Sequence, residues 1–294
     1  MKPSNFISLL TTATIAGALG LPATVQAQAA FETPDQAADA LIEAASADHS
    51  NAWAKVLGKD WQRLLPAHKV DPEDKRTFLT KAREAHSVTV TGKRGEVQVG
   101  NDPWTFPVPL VQGGDGRWRF DPQAGLEELQ ARSIGTNERS AIQSSLAYVD
   151  AQREYASADR NGDGVLEYAR RLISQKGQRD GLVWSPKLGD DSPLGEDYLP
   201  TKAGDGYHGY RFRILEGQGP GSPGGAHSYV IGTRMLSGYA LVAWPVAYGK
   251  TGVMTFIVNQ NGTVYQRDLG ARTGSAVKSI KLFDPGKDWQ PTKP

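Results

Sequence analysis

Oxygen-bearing side chains recur at alternate positions within one short stretch of the chain, residues 159–167. Asp159, Asn161, Asp163 and Glu167 occupy its first, third, fifth and ninth places, and Gly164 occupies the sixth. Ca²⁺ takes about six to eight oxygen ligands, and loops that bind it alternate acidic side chains around a glycine where the chain turns sharply. The spacing therefore predicts a calcium-binding loop.

The predicted ligand set departs from an EF-hand at its last place. A bidentate glutamate is expected there, at the twelfth position, whereas this chain has Arg170. Glu167 can substitute, as in the shorter loops of other extracellular calcium proteins, and we expect a weak structural site with a dissociation constant of about 10⁻⁴–10⁻³ M. The alternative is a turn that only caps the following helix. The predicted ligands are the side chains of Asp159, Asn161, Asp163 and Glu167 and the carbonyl of Val165.

Histidine offers the second candidate chemistry. The chain has five His, and none is paired at the spacing with which a helix holds a metal ion. His208 and His227 border predicted strands of one sheet, so either could serve as the base of a hydrolase that acts on an envelope polymer. A Gly-x-Ser-x-Gly nucleophile motif is missing from the sequence. We therefore expect a non-enzymatic protein and keep the hydrolase as the alternative.

The charge balance and the composition disfavour several classes of protein. Lys and Arg number 33 against 32 Asp and Glu, so the chain as a whole does not attract phosphate backbones, and nucleic-acid binding is disfavoured. A sequence without Cys excludes disulfides, thiolate zinc sites and cysteine nucleophiles. The expected partner is an envelope protein or an envelope polymer.

The N-terminal stretch, residues 1–29, has the layout of a secretory signal peptide. Lys2 precedes an uncharged, largely apolar segment, and Val25, Ala27 and Ala29 form two overlapping small-x-small cleavage sites. Threonines and glycines dilute the apolar segment, which disfavours a membrane anchor. We expect export from a bacterial cell, cleavage after Ala27 or Ala29, and a mature chain without a membrane span in the periplasm or outside the cell.

Residues 30–133 predict a first α+β domain. Its helices begin with Thr33, Pro34 and Gln36, where Thr33 caps the first helix and Gln36 completes a capping box. Further along, the hydrophobic period changes to two, as in half-buried strands, and residues 104–111 form one of the predicted strands. This order of helices and antiparallel strands resembles the nuclear-transport-factor-2-like fold, whose curved sheet could hold a small apolar ligand.

Residues 134–294 predict a second α+β domain, which carries the acidic loop. A helix is expected at residues 136–158, followed by the loop and by a short helix that starts near Leu166. Alternating strands come afterwards, and Asn261 and Gly262 form a strong hairpin signal between two of them. The pattern predicts a long helix together with an antiparallel sheet.

Glycine and tryptophan residues give further expectations about surface and core. The Gly- and Pro-rich residues 217–225 predict a flexible loop. Trp184 lies in another Gly- and Pro-rich stretch and is the best candidate for an exposed contact. Trp104, Trp118 and Trp244 lie within predicted strands, so we expect them in the core.

Eight strings of unusual residue combinations occur in order along the chain. They are residues 104–110, 118–121, 137–143, 148–155, 163–169, 207–210, 243–245 and 248–256. Together they resemble the secreted bacterial family catalogued as domain of unknown function 2950. This resemblance implies an exported protein, and it brings neither an assigned activity nor catalytic residues.

A weaker resemblance concerns the second domain alone. Gly249, Thr251, Phe256, Val258 and Gly262 follow a helix at positions similar to those in the head of type IV pilins. A pilin has a long apolar helix at its mature N-terminus, where this chain has a separate domain. We therefore expect a pilin-head-like domain and do not expect polymerisation through such a helix.

Overall fold

The structure, a computed structural model, describes residues 27–47, 49–66, 71–195 and 206–292. The expected signal peptide falls on residues 1–29, of which residues 1–26 lie outside this described part. Two compact units divide the chain, Met1–Gly125 and Leu126–Pro294. Among the described residues, no helix combines the length and the apolar character that crossing a membrane requires.

The first unit places helices before an antiparallel sheet. Thr33 Oγ1 accepts the N–H of Gln36 at 3.2 Å, which confirms the predicted cap at Thr33. Gln36 Oε1 accepts the N–H of Glu32 at 3.2 Å instead of that of Thr33, so the returning bond of the predicted capping box reaches one residue further back. The helices are α1 (Pro34–Ala47), α2 (Ser50–Leu57), α3 (Trp61–Leu64) and α4 (Pro72–Glu84).

The sheet of the first unit consists of β1 (His86–Thr91), β2 (Arg94–Val99), β3 (Leu110–Gln112) and β4 (Trp118–Phe120). Its order is β1-β2-β3-β4, with each strand antiparallel to the next. The strand predicted at residues 104–111 forms only in part, because Thr105 makes an isolated bridge with Gln98 and β3 starts later. Pro107 and Pro109 lack the N–H groups that a continuous ladder needs.

Alternate residues of β2 point into the core of the first unit. Val97 and Val99 are fully buried, and Trp118 of β4 is buried as predicted. The prediction for Trp104 is wrong, since its side chain is 42 % exposed. Residue 104 lies outside the strands, so strand alternation does not bury it, and its ring meets Phe78 edge-on at 6.2 Å between centroids.

The second unit combines one long helix, α5 (Pro122–Tyr155), which begins at the end of the first unit, with antiparallel strands. The largest sheet has the order β13-β12-β11-β10-β5, and β6 pairs with β7 and β8 with β9. Single 3-10 turns lie at Pro186–Leu188 and Val277–Ser279. The remaining elements are β5 (Tyr210–Leu215), β6 (Gly217–Gln218), β7 (His227–Ser228), β8 (Val230–Ile231), β9 (Arg234–Met235), β10 (Ala240–Pro245), β11 (Met254–Asn259), β12 (Tyr265–Asp268), α6 (Thr273–Ala276) and β13 (Gln290–Pro291).

The helix α5 begins at Pro122, well before the expected start near residue 136. Asp121 caps this end, because its Oδ1 accepts two backbone N–H groups of the first turn at 3.1 Å. Two glycines lower the helix propensity of this first part, so the apolar pattern alone does not reveal it.

Buried tyrosines join α5 to the central strands of the second unit. Tyr148 Oη donates to the carbonyl of Ala240 at 3.1 Å, and Tyr239 Oη donates to the carbonyl of Val149 at 3.1 Å. Burial raises the pKa of Tyr148, so its hydroxyl remains a neutral donor. Helices combined with antiparallel sheets confirm the expected α+β class.

The short helix expected after the acidic loop does not form. Tyr168 instead makes an isolated antiparallel bridge with Met235, and Ile173 pairs with Val183. Backbone partners that are distant in sequence therefore override the local apolar spacing, and the chain after the loop is extended.

Candidate functional site

The acidic loop, residues 159–167, follows the end of α5, and the chain returns to that helix at Ala169. Gln152, which is fully buried on α5, closes the base of the loop. Its Oε1 accepts the N–H of Ala169 and its Nε2 donates to the carbonyl of Ala169, both at 2.8 Å. The carboxamide thus imitates one rung of a β-ladder and fixes the returning chain to the helix.

Aromatic rings hold the first part of the loop. The guanidinium of Arg160 lies over the rings of Tyr155 and Trp184, at 5.9 and 5.4 Å from their centroids, in cation–π contacts. The prediction of an exposed contact at Trp184 is wrong, because this side chain is buried and its Nε1 donates to the carbonyl of Asp190 at 3.0 Å. The Gly- and Pro-rich segment around Trp184 folds onto the core, while Trp244 is half-buried against it.

Asp159 organises the turn of the loop. Its Oδ2 accepts the N–H of Gly164 at 2.8 Å, and its Oδ1 accepts the N–H of Gly162 at 2.8 Å and those of Asn161 and Asp163 at 3.3 Å. These bonds, with that from Gly164 the largest contribution, lower the pKa of Asp159. The carboxylate is therefore ionised at neutral pH and curls inward.

Asn161 links the remaining predicted ligands. Its Oδ1 accepts the N–H of Asp163 at 3.2 Å, and its Nδ2 donates to Glu167 Oε1 at 3.0 Å. Asp163 Oδ1 accepts the N–H of Val165 at 3.0 Å. Burial is the largest cause and raises the pKa of Glu167. The charge of Arg234 opposes this rise, while the charges of Asp163 and Asp159 act in the same direction as burial. The four predicted side chains thus share one hydrogen-bonded network.

A cationic side chain from a distant hairpin reaches the loop. Arg234 on β9 donates to Asp163 Oδ2 and forms an ion pair with it. The same hairpin is tied to the chain after the loop, since the N–H of Tyr168 donates to the carbonyl of Met235 at 2.8 Å. The positive charge of Arg234 therefore occupies the side of the loop to which a metal ion would be attracted.

The arrangement of these groups determines what metal binding would require. Over the described ranges, no group of three or more His, Asp or Glu side chains is arranged to hold a metal ion. Asp159 faces backbone N–H groups, and Asp163 faces Arg234. Binding of Ca²⁺ would therefore require Asn161 Nδ2 to leave Glu167 and Arg234 to leave Asp163.

A polar cavity of about 380 Å³ lies beside the acidic loop and shares Glu167 with it. Opposite charges are paired around it: Arg170 contacts Glu216 at 2.7 Å, and Arg171 contacts Asp180 at 3.2 Å. The cavity is lined by Tyr155, Glu167, Tyr168, Arg170, Arg171, Asp180, Glu216 and Thr233. Such a lining offers hydrogen-bond donors and acceptors of both charges to a polar ligand.

Tyr155 connects the cavity to the buried core. Its hydroxyl donates to the carbonyl of Arg179 at 2.8 Å. Burial, followed by the negative charges of Glu167 and Asp180, raises the pKa of Tyr155 to about 12. The phenol therefore stays neutral at physiological pH and acts as a hydrogen-bond donor instead of a base.

The two histidines of the alternative hypothesis lie at the surface. His208 is exposed, with its ring 4.3 Å from that of Tyr207, and His227 is exposed, with its ring 5.5 Å from that of Tyr229. Neither lines the cavity beside the acidic loop or the two cavities described below. A pocket that would join either His to an acid and a nucleophile is not among these three.

The glycine-rich residues 217–225, expected as a flexible loop, are held by side chains on both sides. Gln218 is buried, its Nε2 donates to the carbonyls of Pro223 and Gly225 at 2.8 Å, and its Oε1 accepts the hydroxyl of Tyr229 at 2.9 Å. Asp284 Oδ1 accepts a backbone N–H of the loop at 2.8 Å. Glycine is needed here because the loop backbone lies too close to Asp284 for a side chain.

Two further cavities lie elsewhere in the described parts of the units. One, of about 470 Å³, lies in the second unit and includes Arg267, Lys281 and Trp289. The other, of about 340 Å³, lies in the first unit beside α1 and α2, whereas an apolar ligand was expected on the sheet. Its lining includes Ala29 and Phe31.

Three residues of the site were not identified from the sequence. Gln152, Glu216 and Arg234 meet the loop or its cavity only through the fold, because each is separated from its partner by many residues. A local pattern that could identify Glu216 or Arg234 is not present in the sequence. A polar residue on the apolar side of α5 is the one signal that marks Gln152.

Comparison with known proteins gives one match. The model of the family described as "Protein of unknown function (DUF2950)" matches residues 28–292. Neither a curated protein nor a solved structure matches the chain.

Proposed function

The chain belongs to the family described as protein of unknown function (DUF2950), and we propose that it is an exported accessory protein of the bacterial envelope that binds a partner and catalyses no reaction. In this proposal the acidic loop is a structural calcium site. The observation that carries it is the anchored loop: Gln152 fixes the base, and Asp159, Asp163 and Glu167 share one hydrogen-bonded network beside a polar cavity.

The ligands of the proposed ion have the chemistry that Ca²⁺ prefers. Three carboxylates and one carboxamide are oxygen ligands, and the carbonyl of Val165 is a fifth ligand group. Binding would also screen the negative charges of Asp163 and Asp159, which help to raise the pKa of Glu167 against the opposing charges of Arg234 and Arg170. The ion therefore stabilises the loop and releases Arg234 from Asp163.

The partner is proposed to bind at the polar cavity beside the loop. Its paired charges and its two tyrosines suit a ligand with many hydrogen-bonding groups, such as an envelope polymer or a polar segment of an envelope protein. Arg170 of the cavity pairs with Glu216 and donates to the carbonyl of Thr233, which adjoins Arg234 on the hairpin, so an ion that displaces Arg234 can change the cavity through this hairpin.

Export and the finer fold assignments are further parts of the proposal. The signal-peptide layout of residues 1–29 supports export to the periplasm or the medium. The long helix α5 and the antiparallel order β13-β12-β11-β10-β5 support a pilin-head-like second unit. Helices before a four-stranded antiparallel sheet support a nuclear-transport-factor-2-like first unit.

Binding is favoured over hydrolysis by the position of the two histidines. His208 and His227 are exposed and lie outside the three cavities described above. A hydrolytic base instead requires a nucleophile and an acid within hydrogen-bond reach of the bound substrate.

Calorimetric titration of the chelator-treated protein with CaCl₂ tests the proposal. We expect a single site with a dissociation constant of about 10⁻⁴–10⁻³ M. Asp163→Asn removes one charged ligand and should weaken binding about tenfold or more, since carboxylate count sets the affinity of such loops.

The matched control is Asp150→Asn. Asp150 is an exposed acid of α5 whose side chain pairs with Arg153 at 3.1 Å, outside the hydrogen-bonded network of the loop. It should bind Ca²⁺ like the wild type. A wild-type protein that takes up no Ca²⁺, or an Asp163→Asn variant that binds as tightly as the wild type, would contradict the proposed site.

A further inference from the structure

The first described residues of the chain are part of the first unit. Gln28 Nε2 donates to the carbonyl of Val56 at 3.1 Å and to the carbonyl of Phe120 at 2.8 Å. These carbonyls belong to the last turn of α2 and to β4, so one carboxamide joins a helix to the sheet. Gln28 therefore contributes to the fold although it lies within residues 1–29, between the two predicted cleavage sites.

The next residues continue these contacts. The N–H of Ala29 donates to the carbonyl of Lys55 at 2.7 Å. Phe31 then pairs with Trp118 of β4 through two backbone hydrogen bonds, of 2.9 and 2.8 Å. Ala29 and Phe31 also form part of the wall of the cavity beside α1 and α2. The segment thus extends the sheet and closes one side of a cavity.

The two cleavage sites in the sequence have different consequences for these contacts. A cut after Ala27 leaves Gln28 and Ala29 in the mature chain, so every one of these contacts is kept. A cut after Ala29 removes both residues, and three main-chain carbonyls of the first unit lose their donors. Val56 and Phe120 are buried, and a buried carbonyl that loses its donor destabilises the folded state.

We propose that export cleaves the chain between Ala27 and Gln28, so that the mature protein begins with a glutamine whose side chain is part of the first unit. This inference rests on the proposed export. Hydrolysis of that peptide bond uses one water, whose hydroxyl completes the carboxyl group of Ala27 and whose hydrogen completes the amino group of Gln28. Val25 and Ala27 have the small side chains that a signal peptidase requires before the bond it cleaves.

Mass spectrometry of the N-terminal peptide tests the inference. The full chain is produced in a bacterium and purified from the extracytoplasmic fraction. We expect a peptide that begins at Gln28, with or without loss of ammonia from that glutamine. A peptide that begins at Ala30 overturns this inference and leaves export intact, whereas an uncleaved chain that stays in the cytoplasm overturns the proposed export.

Thermal unfolding of chains produced without the leader tests the structural reason. A chain that begins at Gln28 should melt at a higher temperature than one that begins at Ala30. Gln28→Ala in the longer chain should lower its melting temperature by much of that difference. Gln62→Ala, at an exposed glutamine of α3, is the matched control and should leave the melting temperature unchanged. Equal melting temperatures for the two chain lengths would overturn the structural role of Gln28.

Discussion

Gln152 and Ala169 exchange two hydrogen bonds of 2.8 Å across 17 positions of the sequence. The carboxamide is fully buried, and its Nε2 also donates to Tyr148 Oη at 3.0 Å, which in turn donates to the carbonyl of Ala240. A helix, a loop end and a central strand are therefore connected through a single side chain. The Gln152 carboxamide thus fixes the end of the acidic loop, and in the described part of the chain no helix directly follows the loop to hold it.

Gln152→Leu tests the anchor. Leucine fills a similar volume but leaves the N–H and the carbonyl of Ala169 without partners, and each unsatisfied buried group costs about 1–3 kcal/mol. We expect the free energy of unfolding to fall by about that amount or more in chemical denaturation. Gln143→Leu, at an exposed position of the same helix, should change it little. Similar stability of the two variants would show that the anchor is dispensable.

Gly252 approaches another side chain too closely for any substitution. A Cβ there would lie 2.1 Å from Tyr210 Oη, and Tyr210 is fully buried and donates to the carbonyl of Met254 at 2.9 Å. Gly252→Ala should destabilise the protein by about 1–3 kcal/mol, because the tyrosine must move. Gly274→Ala, in α6 with open space around it, is the control. Equal effects in thermal melts would contradict this packing argument.

The pH dependence of stability should differ between two carboxyls of the loop. Hydrogen bonds from the backbone lower the pKa of Asp159 below 3.8, so its contribution is present above that pH and is lost as the pH falls through the folded-state pKa. In the presence of a chelator, Asp159→Asn should therefore reduce the free energy of unfolding at neutral pH and have little effect on it in strong acid.

Glu167 should behave in the opposite way. Because burial raises the pKa of Glu167, the folded state binds this proton more tightly than the unfolded chain, and the stabilisation is lost as the pH rises through the folded-state pKa. Glu167→Gln should thus gain relative stability with rising pH. Urea titrations at several pH values measure both variants, and parallel pH profiles for the two would refute the assigned pKa directions.

Arg234 forms an ion pair with Asp163, so a cation that binds this carboxylate has to displace the arginine. The pair is partly exposed, and such ion pairs contribute about 0–1 kcal/mol, so Arg234→Gln should tighten Ca²⁺ binding by up to about fivefold. Arg153→Gln, which removes an exposed ion pair on α5, is the control and should leave the affinity unchanged. Weaker Ca²⁺ binding by Arg234→Gln would mean that the arginine supports the loop and does not compete with the ion.

Local patterns predicted the parts of the fold whose causes are local. The cap of α1, in which Thr33 accepts the N–H of Gln36, depends on four consecutive positions, and β11 and β12 pair on either side of the hairpin signal predicted at Asn261 and Gly262. The errors came from contacts distant in sequence. The chain after residue 166 was expected to be helical, but its backbone pairs with Met235, and Trp184 is covered by its own loop.

The strings that resemble the family also have a structural explanation. Glu138 Oε1 accepts the N–H groups of Val253 and Met254 at 2.9 and 3.0 Å, and Asn137 Nδ2 donates to the carbonyl of Thr251 at 2.9 Å. Two strings that are more than a hundred residues apart thus meet to attach α5 to the sheet. The acidic loop itself was predicted from spacing alone, whereas Gln152 and Arg234, which position it, could not be.

Thermal unfolding in chelator and in rising Ca²⁺ tests the calcium loop most directly. At about 10 mM Ca²⁺, roughly ten to a hundred times the expected dissociation constant, the ion should stabilise the native state by about 1.4–2.7 kcal/mol. The unfolding transition of the second unit should then shift upward by roughly 3–10 °C, and Asp163→Asn, which weakens binding about tenfold, should reduce this shift by about half or more. An unchanged melting temperature in Ca²⁺, or an equal shift with Mg²⁺ at the same concentration, would contradict a calcium site at residues 159–167.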